Sequence, residues 1–252
     1  QVKSILEDMG RPGYVLVSRQ MGKTNLLINA RRKYANDEDR FVYVDLSNLF
    51  ENETQCFRNI IDTAIETNLD VFSELEIKIR QYRIENSELP AHKQHEKELR
   101  LLLNSIKGKL IIILDEIDAL TKVDYSDRIF SQIRSIYFAR TNYEEFCRLS
   151  YLLSGVVEPS ELIKDPKISP FNIGEKIFLN DFSKSEFNTF ILKAGLNRLD
   201  EIIKNRIFYW TNGNPRLTWD LCCIIEDNIE AIFDETSIDS LVKLHYLTAF
   251  DK

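Results

Sequence analysis

Glycine, cysteine and histidine are scarce in this chain of 252 residues, at 8, 4 and 3 copies. The cysteines are Cys56, Cys147, Cys222 and Cys223. They show no C-x-x-C spacing and two are adjacent, which suits neither a disulfide framework nor a zinc site. They read as reduced core residues of a cytosolic protein. The histidines are too scattered for a metal cluster. His92 and His95, three apart in a charged stretch, read as a solvated helix face. Long apolar runs are missing too. The longest, residues 110–114, is closed by Asp115 and Glu116, far short of the roughly 20 residues of a membrane span. No secretory signal pattern opens the sequence. Its first residue is Gln, so it reads as a piece of a longer chain, cytoplasmic, with further domains expected on either side. Positive charge is in deficit, with 33 Lys and Arg against 40 Asp and Glu and a net charge of −7. Such a surface does not favour phosphate backbones, so nucleic acid is not the favoured partner, although a local basic face is compatible with that total.

What is present is ordinary for a globular fold: 44% hydrophobic and 29% charged residues. Residues 14–17 form a short apolar run behind the turn signal Arg11-Pro12-Gly13 and read as a first strand. Leu26, Leu27, Ala30 and Tyr34 follow at helical spacing. Residues 41–46 read as a second strand, and residues 53–67 as a helix with Phe57, Ile60, Ile61 and Ala64 on one face. Residues 68–107 are the least regular part. Val71, Leu75, Ile79 and Tyr82 recur at helical spacing, Pro90 interrupts, and residues 91–106 make a helix charged at its start and apolar at its end. This stretch reads as a helical insertion or an elaborated crossover. Residues 110–114 and 149–156 are strands buried on both faces, as in a parallel sheet. A helix at 125–139 lies between them, and 176–179 is a shorter last strand. Alternation of this kind implies βαβ units. It stops there. Ser183 to Glu186 is a capping box, and three or four helices run on, broken at Asn212-Gly213-Asn214-Pro215. No internal repeat or low-complexity segment stands out. The expected architecture is an α/β fold, a three-layer parallel sheet of about five strands over residues 1–180, followed by a helical lid over residues 181–252.

Two motifs carry chemistry. Residues 17–24, VSRQMGKT, lie between a strand and a helix, the context in which Gly-Lys-Thr forms a phosphate-binding loop (Walker A). Backbone N–H groups of Arg19, Gln20, Met21, Gly22, Lys23, Thr24 and Asn25 would face phosphates at the helix N-terminus. Lys23 would neutralise the β and γ phosphates, and Thr24 would ligate Mg²⁺. The first glycine of G-x-x-x-x-G-K-[ST] is absent, because counting back from Gly22 reaches Val17. A β-branched residue resists positive φ. Either the position does not need it, or the loop mouth is tighter than usual. The second motif is the strand LIIILD followed by Glu116. Asp115 is placed to hold Mg²⁺ and Glu116 to polarise an attacking water (Walker B). The guanine signature N-K-x-D is missing as a strand-end motif, which leaves adenine. The aromatic run Phe208-Tyr209-Trp210 and the pair Cys222-Cys223 read as lid core.

Together, residues 15–27 (VLVSRQMGKTNLL), 44–46 (VDL), Asp115-Glu116, 152–156 (LLSGV), 169–174 (SPFNIG), 179–182 (LNDF) and 213–216 (GNPR) resemble AAA-like P-loop ATPases of the STAND and archaeal-ATPase type. The resemblance covers nearly the whole chain. It implies a nucleotide-sensing role for Ser154 at the end of the fourth strand, where Asn is more usual. It implies that Pro215 lies against the base and that Arg216 reaches the γ-phosphate. Arg134, Arg140 and Arg148 lie where a trans-acting arginine would be sought, and the role is assigned to none. The function implied is a slow, Mg²⁺-dependent ATPase acting as a regulatory switch of a larger protein. Nucleotide would control oligomerisation or attached effector and sensor domains, in prokaryotic signalling or defence. A nucleic-acid-linked loader or initiator, and a non-hydrolysing ADP-bound scaffold, are the alternatives.

Overall fold

Strand β3 (Leu110–Asp115) lies inside the fold, with all six of its residues buried. A computed structural model describes residues 11–18, 21–34, 36–196, 198–228, 230 and 234–247. With β3, strands β1 (Gly13–Leu16), β2 (Arg40–Asp45), β4 (Leu149–Gly155) and β5 (Glu175–Lys176) form one sheet of 5 strands in the order β2-β3-β4-β1-β5. Every neighbouring pair is parallel. The last strand is two residues long, shorter and earlier than the expected 176–179. Single backbone bonds prolong the pairing beyond the ladder, from Ile177 N–H to the Tyr14 carbonyl at 2.7 Å and from Val17 N–H to the Gly155 carbonyl at 3.2 Å. Strand-end residues are the ones that sequence pattern resolves least well.

The chain divides into two compact units, one of residues 1–18 and 23–178, the other of residues 19–22 and 179–252. In the first, side-chain alternation sends successive strand residues to opposite faces. Leu16, Val42, Val44, Leu110, Ile112, Leu114, Leu149, Tyr151 and Leu153 join one core with helices α2 (Glu53–Thr67), α3 (Leu69–Glu85), α4 (Ala91–Asn104) and α5 (Ser126–Ala139). Residues 68–107 are therefore part of that core, with Phe72, Leu75, Ile79, Leu99, Leu102 and Leu103 buried in it. Helix α1 (Lys23–Tyr34) belongs to the other face, where the Arg31 guanidinium stands 5.7 Å from the centre of the Phe41 ring. The SPFNIG segment acts through packing: Phe171 meets Tyr14 edge-on at 5.1 Å and Phe130 at 5.6 Å. A short helix, α6 (Pro159–Leu162), precedes it.

The reading of His92 and His95 as a solvated face fails at His95, which is 2% exposed. Its ring stacks on Phe57 at 4.5 Å and its Nε2 is 3.3 Å from the Tyr151 hydroxyl. Burial, with the Arg83 charge added, lowers its pKa to about 3. Glu98, on the same helix, is buried with its counter-charge supplied by α3. Arg83 donates to both oxygens of Glu98, at 2.8 and 2.9 Å, and to Asp62 at 2.8 Å. Burial alone would lower the Arg83 pKa, but those two carboxylates outweigh it and hold it above its usual value. Opposite charges one helix apart are invisible to a periodicity count.

In the second unit, the described residues form the α-helices α7 (Lys184–Lys193), α8 (Glu201–Thr211), α9 (Pro215–Asp227) and α10 (Glu235–Val242), the last continued by a π-helical turn at Lys243–Leu247. The capping box is present, with Ser183 Oγ accepting from Glu186 N–H and the Glu186 carboxylate accepting from Ser183 N–H. Phe187, Ile191, Ile203, Ile207, Leu221, Ile225 and Ile238 form a separate core. Of the aromatic run, Phe208 packs edge-on to Phe187 at 5.1 Å. Trp210 donates its indole N–H to Asp239 at 2.7 Å. Tyr209, read as core, is instead 66% exposed, because α8 turns that position outward. The cysteine reading needs the same correction: Cys56 and Cys222 are buried, with burial pushing both thiols up to about 12, whereas Cys147 is exposed and Cys223 half-buried.

Candidate nucleotide site

In the chain, β1 is followed by the segment that leads into α1 at Lys23. Gly22 turns that corner with φ of +85°, a region that L side chains avoid. An added Cβ there would meet nothing within 4 Å, so backbone conformation and not crowding calls for glycine. Lys23 is 8% exposed, and its ammonium donates back to the Val17 carbonyl at 3.0 Å and the Ser18 carbonyl at 3.4 Å. The residues that end the β1 segment thus turn two carbonyls to the cation. Val17 is not among the described residues with positive φ, and its N–H continues the β1–β4 pairing. The missing first glycine is therefore not a position of positive φ, and valine stands there without that strain. Met21 and Gly22 are half-buried, and Thr24 and Asn25 are exposed. Arg19 and Gln20 lie outside the described residues.

Thr24 Oγ1 donates to Asp115 Oδ2 across 3.4 Å, bringing the two motifs together at the C-terminal ends of β1 and β3. Asp115 is 4% exposed. Its Oδ1 accepts the Glu116 N–H at 2.9 Å, and its Oδ2 also accepts the Tyr43 phenol at 2.5 Å. Burial raises the Tyr43 pKa, and the Asp115 bond and charge raise it further. Glu116 is half-buried and takes a left-handed conformation, φ +54°. A non-glycine residue there carries local strain of order 1 kcal/mol, and it turns the chain sharply as the strand ends. Ser154 is fully buried, and its Oγ has no hydrogen-bond partner among the described residues. Val15 is its register partner on β1. Asp118 Oδ1 accepts the Val156 N–H at 3.2 Å, tying the end of β4 to the turn after β3. Sequence reasoning missed Tyr43 and Asp118. The signal for Tyr43 was its place two residues before Asp45, which pairs with Asp115. It becomes legible only once β2 is known to lie beside β3.

Thr24 Oγ1 and Asp115 Oδ2 are two adjacent hard oxygen donors. Mg²⁺ takes such donors at ~2.0–2.1 Å and completes its shell with water and phosphate oxygens, so the residues present fit that ion. Among the described residues there is no cluster of three or more His, Cys, Asp or Glu able to hold a metal without such help.

In the second unit, Pro215 is the first residue of α9 and Asn214 caps it, accepting the Leu217 N–H at 3.1 Å. Asn214 also donates to Asp181 at 3.2 Å and to Met21 Sδ at 3.5 Å. Gly213, at φ +76°, accepts the Phe182 N–H at 2.7 Å, and a Cβ there would lie 2.2 Å from the Phe182 carbonyl oxygen. Here both conformation and space demand glycine. Arg216 pairs with Asp220 at 3.2 Å on its own helix. The arginines without an assigned role are engaged. Arg148 donates to the carbonyls of Leu103, Ile106 and Gly108, satisfying the chain beyond α4. Arg140 stacks on Tyr137, and Arg134 stands over Phe138.

A parallel sheet in this order, with Gly-Lys-Thr between β1 and α1 and Asp-Glu closing β3, defines a P-loop ATPase fold. The model of the AAA-like domain family matches residues 2–241, and the chain belongs to that family. An uncharacterized WD repeat-containing protein of Synechocystis sp. is 34% identical over 229 residues, which are 88% of this chain and 19% of that protein. Among solved structures, a Walker-type ATPase of Pyrococcus abyssi superposes with TM-score 0.63 at 17% identity, covering 95% of this chain and 68% of that one. The Aeropyrum pernix ORC1 protein, solved in complex with DNA, gives 0.55 at 16%, covering 95% and 61%. The ORC2 protein of that organism in its ADP form gives 0.57 at 15%, covering 96% and 65%. At such identities the likeness speaks for the fold. The chain spans about a fifth of the Synechocystis protein. No helix among the described residues is long and apolar enough to cross a membrane.

Proposed function

We propose that this domain binds and slowly hydrolyses ATP as the regulatory switch of a larger protein. The observation that carries the reading is the meeting of Thr24 with Asp115 at 3.4 Å, beside Lys23 and ahead of Glu116. Backbone N–H groups of residues 19–25 receive the phosphates, Lys23 neutralises the β and γ groups, and Thr24 and Asp115 hold Mg²⁺. The ion, when bound, supplies charge stabilisation on the phosphoryl oxygens. Glu116 accepts a proton from the attacking water. Ser154, buried with a free hydroxyl, is suited to contact that water or the γ-phosphate.

Residues 181–252 act as the lid over a core of residues 1–180. Pro215 lies against adenine. Arg216 reaches the γ-phosphate on leaving Asp220, an exposed pair whose loss costs at most about 1 kcal/mol. Loss of the γ-phosphate then releases one arrangement of lid and core. Kinship with a WD repeat-containing protein five times longer supports an attached sensor or effector, and self-association is the expected output. The cell compartment proposed is the cytoplasm.

The test is turnover. Wild type should hydrolyse ATP in Mg²⁺, and Glu116→Gln should not; equal background rates in both would sink the enzyme reading and leave an ADP-bound scaffold. Lys23→Ala should lose ATP binding, and normal binding would remove the phosphate role of residues 17–24. A second reading, a DNA-linked ATPase, draws on the ORC1 likeness, and turnover stimulated by duplex DNA would favour it. The net charge of −7 weighs against it.

A further inference from the structure

Tyr43 sits on the edge strand β2, in register with Ile113. That position is two residues before Asp115 on the same face of the sheet. Tyr43 is 43% exposed, yet its hydroxyl bonds to the carboxylate of Asp115, a residue that is 4% exposed. Asp115 therefore has partners on both oxygens: the Glu116 N–H on Oδ1, and the Tyr43 and Thr24 hydroxyls on Oδ2. A carboxylate has about four acceptor positions. The Glu116 amide and the Tyr43 phenol anchor one position on each oxygen and fix the plane of the group. Thr24 lies on the same oxygen as the phenol, so the phenol orients the one oxygen that both motifs share.

Resting on the reading of Thr24 and Asp115 as the cation ligands, we propose that Tyr43 is a positioning residue for divalent-cation binding, its hydroxyl holding the Asp115 carboxylate in the orientation that faces Thr24. Without the hydroxyl, the carboxylate keeps the Glu116 amide on Oδ1 and only the longer Thr24 contact, at 3.4 Å, on Oδ2, and is freer to turn about its last torsion. Partners of metal ligands commonly change affinity about 10–100-fold when removed.

The test measures binding of a fluorescent ATP analogue, mant-ATP, in Mg²⁺ and in EDTA. Tyr43→Phe keeps the ring and removes the oxygen. It should weaken binding in Mg²⁺ by about 10-fold, leave binding in EDTA unchanged and leave the melting temperature unchanged. In an Asp115→Asn background, which itself loses the Mg²⁺-dependent gain, Tyr43→Phe should have no further effect. If Tyr43→Phe matches a Mg²⁺-responsive wild type, or loses the same factor in the Asp115→Asn background, this proposal alone is overturned. A wild type that binds equally in Mg²⁺ and EDTA would overturn the cation reading of Asp115 and this proposal with it.

Discussion

The two faces of the sheet are built from the same strands and do opposite work. On one face, alternate residues such as Val42, Val44, Ile112, Leu114, Tyr151 and Leu153 enter a continuous apolar core with α2 to α5. On the other, the intervening residues, apart from the buried Ser150, run from apolar to polar. Phe41 gives way to Tyr43 and Asp45, Ile111 and Ile113 to Asp115, and Leu152 to Ser154. The polar residues collect at the C-terminal edge, where α1 begins. One face supplies stability along its whole length. The other spends its last positions on groups that burial alone does not favour, including the unpartnered Ser154 hydroxyl.

If this division is right, changes on one face should leave the property of the other intact. The largest effect is expected from Glu116→Gln, lowering turnover by about 10²–10⁴-fold with an unchanged denaturation midpoint, read by ATPase assay and urea titration. Next, Arg83→Ala leaves Glu98 charged and unpaired behind the core face. It should cost about 3–5 kcal/mol of stability, while mant-ATP affinity of the folded protein holds. A loss of affinity with retained stability would collapse the distinction.

A third effect lies in pH. The buried neutral His95 has a folded pKa of about 3, against an ordinary unfolded value near 6.5. Between those limits the unfolded chain binds the extra proton, so stability falls as pH drops through that window. The loss should be about 2 kcal/mol between pH 7 and pH 5, and His95→Leu should flatten that part of the slope in urea titrations. The smallest effect on stability is expected at the site edge. Ser154→Ala removes an unsatisfied hydroxyl and should change stability by less than about 1 kcal/mol, while turnover drops. Unaltered turnover would reduce Ser154 to a packing residue.

The strands and most helices were legible because buried parallel strands are unbroken apolar runs and amphipathic helices repeat every third or fourth residue. Residues 53–67 were read with both ends as found. His95 and Tyr209 were misread for one reason. Burial of a polar side chain depends on what another element brings to it, here Arg83 and Tyr151 for α4, and the facing of a helix depends on its neighbours. Val17 looked like a defect in the loop motif until its backbone proved to lie outside the positive-φ region.

The sequence by itself determined the class of fold, the loop that turns at Gly22, and the residues at which two strands end in chemistry. Those rest on local physics: a left-handed glycine, a lysine at a helix start, an acid closing an apolar run. Only the tertiary structure decided that β4 enters between β1 and β3, that Thr24 and Asp115 nonetheless meet, and that Tyr43 completes the group. Strand order is a property of long-range packing, and no residue carries a record of the neighbour it will acquire.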